Sequence, residues 1–93
     1  MTILVAEYRE LLERFVRHEI DIDSFQRSYF DKFKNDPREM DETVFRILDT
    51  LFGDIDSFTT DASLLQKDPA FYLDEAGLRK RVVQATEQLS GRN

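Results

Sequence analysis

Three times along this chain an apolar residue stands immediately before an Asp, and another apolar residue follows that Asp by four positions. The sets are Ile20-Asp21 with Phe25, Met40-Asp41 with Phe45, and Leu73-Asp74 with Leu78. An Asp in that place accepts hydrogen bonds from the free N–H groups of a helix's first turn, and the apolar pair clamps the entering chain onto that turn. Each such device fixes where a helix begins, and each cap contributes about 1 kcal/mol. A chain of 93 residues with three helix starts has room for little else.

The intervening segments carry the matching period. Leu4, Tyr8, Leu11, Leu12, Phe15 and Val16 recur at three- and four-residue steps with charges between them, which predicts a first helix from Ile3 to His18. Ile22, Phe25, Tyr29, Phe30 and Phe33 predict a second from Ile22 to Lys34, capped by Asp21. Pro37 biases Asp36 away from helical angles, so residues 34–39 read as a loop. A third helix follows the Asp41 cap with Val44, Phe45, Ile47, Leu48, Leu51 and Phe52. Its apolar steps continue to Ile55 and Phe58 across Gly53, which can end it or only bend it. In the polar stretch from Thr59 to Asp74, Leu64 and Leu65 can form one extra helical turn. The last helix runs from Glu75 to Leu89, with Leu78, Val82, Val83, Ala85 and Leu89 facing inward.

No βαβ alternation, Gly-rich phosphate loop or solenoid repeat interrupts this pattern. The expectation is an all-α fold: one domain over residues 1–93, built as a compact antiparallel bundle of about four helices with a short helical turn before the last. Eight Phe and three Tyr can fill such a core without a disulfide or a metal. The chain has no Cys, which suits the cytoplasm and excludes thiol chemistry and thiolate metal sites. Met1 to Ala6 is apolar, with no basic residue ahead of it and Glu7 directly after, so it does not read as a signal peptide. No apolar run approaches the roughly 20 residues of a membrane span.

Catalytic chemistry finds few residues to use. His18 is the single histidine and reads as a helix C-terminal residue, with no Cys or second His to work beside. The pairs Asp21 with Asp23 and Asp54 with Asp56 are close in sequence but lie in polar surroundings that would leave their acidities alone. Asp54, Asp56 and Ser57 start like a calcium loop, but its central Gly and closing Glu are missing. The reading is a non-enzyme with no cofactor and no metal.

Charge is more informative. The chain carries a net −6, which disfavours nucleic acid and anionic lipid and suits a basic protein partner. Residues 54–75 hold Asp54, Asp56, Asp61, Asp68, Asp74 and Glu75 against Lys67 alone, whereas the last 18 residues set Arg79, Lys80, Arg81 and Arg92 against Glu87. The acid-rich connection can therefore present a negative face, provided the basic end does not cover it. Phe71 and Tyr72 lie within it, where an aromatic anchor beside steering charges would serve an interface, and one of the two is expected in the core.

Three stretches carry a family resemblance: Ile20-Asp21-x-x-x-Phe25-x-x-x-Tyr29, then Leu51-Phe52 leading into Asp56-x-Phe58-x-x-Asp61, then Tyr72-x-Asp74-Glu75-x-x-Leu78. In order and spacing, from Leu11 to Leu89, the chain resembles the colicin D immunity family. The resemblance implies a four-helix immunity protein that binds the nuclease domain of a toxin made by the same bacterium and blocks its active site. The type member's toxin is a tRNA-cleaving ribonuclease, and similar immunity proteins serve contact-dependent growth inhibition. In that family, acidic residues after the third helix enter the basic substrate cleft. Asp56 and Asp61 match them here, with Asp54 beside them.

Thr59 stands where a further acid is expected, which points to a toxin other than colicin D. The expected toxin-binding set is Asp54, Asp56, Asp61, Asp68 and Tyr72, in a 1:1 heterodimer with the toxin. The alternative class is a helical adapter or regulatory domain that meets its partner through an exposed helix face. Charge reversal at Asp56 and Asp61 would leave that kind of binding intact.

Overall fold

The computed structural model describes residues 3–90. Five helices follow one another: α1 (Ile3–Val16), α2 (Ile22–Asn35), α3 (Glu42–Asp56), the short α4 (Ala62–Lys67) and α5 (Glu75–Ser90). The helix starts lie where the repeated motif places them. Asp21 accepts from Ser24 N at 2.8 Å, Asp41 from Thr43 N at 3.1 Å, and Asp74 from Gly77 N at 2.8 Å. A fourth Asp, Asp61, caps α4 by accepting from Ser63 N at 2.9 Å. The extra turn expected at Leu64 and Leu65 is α4.

Side-chain pairings give the register of the bundle. Phe15 of α1 stacks on Phe25 of α2 at 4.3 Å, while Tyr8 near the start of α1 reaches Lys32 near the end of α2. Phe33 meets Phe45 at 5.8 Å and Phe30 meets Phe52 at 4.8 Å, so α2 and α3 are also antiparallel. Arg81, early in α5, reaches Asp54 late in α3, and Arg79 reaches the end of α1. The four long helices thus run up, down, up and down, with α5 packed against both α1 and α3.

Tyr8, Leu12, Phe15, Phe25, Tyr29, Leu48, Ile55, Leu78, Val82 and Leu89 are completely buried at the centre. Each of the larger aliphatic and Phe side chains there contributes about 1.5–3 kcal/mol by leaving water. The Tyr29 hydroxyl in this layer is satisfied: its Oη donates to the Leu48 carbonyl at 2.6 Å, and burial pushes its pKa far above the usual phenol range.

Four expectations need correction. The first helix stops at Val16, because His18 adopts a left-handed φ of 62°. His18 N then bonds to Phe15 O at 3.1 Å and Glu19 N to Arg14 O at 2.9 Å, a Schellman termination with His in the place usually held by Gly. The third helix passes through Gly53 but ends at Asp56, short of Phe58. Val83 faces outward beside Val16, since α5 spends its inner face on Leu78, Val82, Ala85 and Leu89. Neither Phe71 nor Tyr72 joins the core: Phe71 is exposed and Tyr72 half-buried.

Candidate functional site

The connection from α3 to α5 leaves and re-enters the bundle through a narrow neck. Thr59 N donates to Leu73 O at 2.9 Å and Leu73 N to Ser57 O at 3.0 Å, pairing Phe58 with Leu73 as a single parallel bridge. Residues 58–73 are therefore a closed loop, stiffened internally by α4, rather than a free linker. Because the helices alternate in direction, this loop shares one end of the bundle with the last turn of α3, the start of α5, the end of α1 and the start of α2. Gln26 of α2, which donates to the Ile55 carbonyl at 3.5 Å, ties the start of α2 to the last turn of α3.

The five expected site residues fall on this end in different circumstances. Asp54 sits half-buried between α3 and α5, 3.8 Å from Arg81 Nη1. Burial raises its pKa, which the Arg81 charge only partly offsets, so the expectation of unperturbed carboxylates fails at this residue. Asp56, two residues on, projects from a different side of the helix and is exposed; among the described residues no hydrogen bond or ion pair occupies its carboxylate. Asp61 is exposed while capping α4. Asp68 is exposed and accepts from Phe71 N at 3.2 Å. Tyr72 is half-buried, its ring edge-on to that of Phe71 at 4.9 Å.

The basic segment covers only part of the acid. Arg81 takes Asp54, and Arg79 binds Glu75 at 3.2 Å while donating to the Phe15 carbonyl at 2.7 Å. Arg92 lies outside the described residues. Asp56, Asp61, Asp68 and Asp74 remain exposed. Asp21 and Asp23 at the start of α2 add to the same end, a contribution that depends on helix direction and has no local signal in the sequence. Hydrogen bonding to Ser24 holds Asp21 below the usual carboxylate range.

This end of the bundle therefore gathers exposed carboxylates from α2, α3, the closed loop and the start of α5 around the Phe71 and Tyr72 rings. Among known families, the one described as bacterial self-protective colicin-like immunity matches residues 1–89. The chain belongs to that family. A colicin-like immunity protein neutralises a toxin by binding it, so this molecule is an inhibitor and its partner is a cognate toxin. No curated protein and no solved structure matches the chain at a significant level. Among the described residues, no helix of this immunity protein is long and apolar enough to cross a membrane.

Proposed function

We propose that this immunity protein neutralises a nuclease toxin, specifically a tRNA-cleaving ribonuclease, by laying the loop end of its bundle over the toxin's basic substrate cleft. The interface would use Asp54, Asp56, Asp61, Asp68 and Tyr72, in a 1:1 complex formed in the cytoplasm of the producing cell. The toxin would come from a bacteriocin or from a contact-dependent growth inhibition system.

The observation that carries this reading is Asp56. It is the last residue of α3, where the helix dipole disfavours negative charge by about 0.3–1 kcal/mol, and no basic residue lies in that turn to offset it. Asp54 in the same turn is compensated by Arg81, whereas the exposed Asp56 carboxylate has no partner among the described residues. A carboxylate that lowers stability and has no internal partner fits an external cation. A ribonuclease needs a cationic cleft to hold phosphates, and a rigid acidic surface competes for it while speeding encounter at low salt.

Calorimetry with the toxin domain encoded beside the immunity gene, combined with an RNA-cleavage assay, tests the proposal. The useful variants are Asp56→Lys and Asp61→Asn, the latter keeping the cap while removing the charge. Tight 1:1 binding that stops cleavage and weakens about 100-fold in the double variant is the expected outcome. Unchanged binding would move the interface to another face of the bundle, and a toxin that leaves RNA intact would remove the ribonuclease assignment.

A further inference from the structure

Phe71 is the most exposed aromatic ring among the described residues, with 57% of its surface open. Its backbone is nevertheless tightly held. The Asp68 carbonyl accepts from both Phe71 N and Tyr72 N at 3.1 Å, and the Asp68 carboxylate accepts from Phe71 N at 3.2 Å. Two residues beyond, Leu73 is fastened to Ser57 and Thr59 at the neck of the loop. The ring itself rests edge-on against Tyr72. Phe45 is the other exposed ring, and it still packs on Phe33 of the neighbouring helix. An apolar ring held in fixed position and facing water gains little for the free fold, and interface anchors are rings of this kind.

We propose that Phe71 is the apolar anchor of the toxin interface, and that Asp68 serves that interface by holding the ring outward, as a positioning residue, rather than through its charge. This rests on the reading of the loop end as the toxin-binding surface. The partner chemistry follows from the neighbours. Exposed carboxylates at Asp61 and Asp74 surround the segment in sequence, so the recess that takes the ring must have cations at its rim; a wholly apolar pocket would strip water from unpaired charge. A nuclease cleft has that combination, with a flat apolar surface where a base stacks and cations where phosphates lie. Phe71 then occupies the place of a nucleobase.

The test measures binding kinetics to the toxin domain encoded beside the immunity gene at two salt concentrations, with thermal unfolding as a check on the fold. Phe71→Ala should raise the dissociation rate about 30-fold while leaving the unfolding midpoint unchanged. Asp68→Asn keeps the turn-closing acceptor and should bind within about twofold of wild type, whereas Asp68→Ala should weaken binding about tenfold. Wild-type binding by Phe71→Ala, with binding lost in Asp56→Lys, would overturn the anchor and leave the loop-end reading standing. Equal losses in Asp68→Asn and Asp68→Ala, with a reduced salt dependence of association, would overturn the positioning role. If neither Asp56→Lys nor Phe71→Ala weakens binding, both readings fall together.

Discussion

The two ends of the bundle treat their carboxylates in opposite ways. Where α1 starts and α2 ends, Glu7 meets Lys32 at 2.8 Å and Arg38 at 3.0 Å, and Asp36 meets Arg38 at 2.7 Å. The Asp36 side chain is only 3% exposed and also accepts from Tyr8 Oη at 3.1 Å. At the loop end, by contrast, Asp61, Asp68 and Asp74 spend their carboxylates on backbone N–H groups and keep them open to solvent, while the Asp56 carboxylate has no partner among the described residues. Charge satisfied by a cation within the fold holds helices together and is lost to a partner. Charge satisfied by backbone, or by water alone, keeps its field outside the molecule. Under the proposed reading, stability and recognition are assigned to opposite ends of one small core.

Breaking the closed end should have the largest effect. Asp36→Ala leaves the Tyr8 hydroxyl and the Arg38 guanidinium short of a buried acceptor and should destabilise by about 2–3 kcal/mol in urea unfolding, with toxin binding unchanged. The same carboxylate is held well below its usual range, chiefly by hydrogen bonding from Arg38. A depressed folded-state value gives stability that is present above the unfolded value of about 4 and lost as pH falls. Wild type should therefore lose stability below pH 4 more steeply than Asp36→Asn.

The loop end has internal locks of its own, and removing one of them sharpens the contrast. Arg79 caps the Phe15 carbonyl at the end of α1 and lies 4.2 Å from the centre of the Phe15 ring, so Arg79→Met should cost about 2 kcal/mol. Asp56→Lys should do the reverse, raising stability by about 0.5 kcal/mol through the helix dipole while toxin binding falls. The smallest effect separates Asp54 from Asp36 by sign. The folded-state value of Asp54 is raised by burial, so its ionisation opposes folding once pH exceeds the unfolded value. Asp54→Asn should raise the unfolding midpoint at pH 7 and leave it unchanged at pH 3.

How much of this could be read from sequence follows from the range of each interaction. Caps and staples act within five residues, so Asp21, Asp41 and Asp74 were legible, and the short period of Leu64 and Leu65 was enough to place α4. The left-handed turn at His18 was not, because the usual signal is Gly and here a His carries the same dihedral. Asp36 read as ordinary loop polarity; its burial depends on Tyr8, 28 residues earlier in the chain. Val83 fits the helical period but falls outside the arc that α1 and α3 cover. Within the candidate site, composition marks the acidic stretch, most of whose carboxylates the fold leaves exposed. It could not tell that Asp54 would face Arg81 while Asp56 would face water, since that depends on how α3 is rotated against α5.

The neck at Ser57 and Leu73 has an evolutionary consequence. Two backbone hydrogen bonds close the enclosed segment at its neck, and backbone bonds are indifferent to side-chain identity. Residues 60–72 can then be rewritten freely, as long as α4 and the closing bridge still form, without disturbing the packed layers beneath. Under the proposed reading, a lineage in conflict with changing toxins can diversify this cassette while inheriting its scaffold intact, and transplanting the segment between family members should carry partner choice with it.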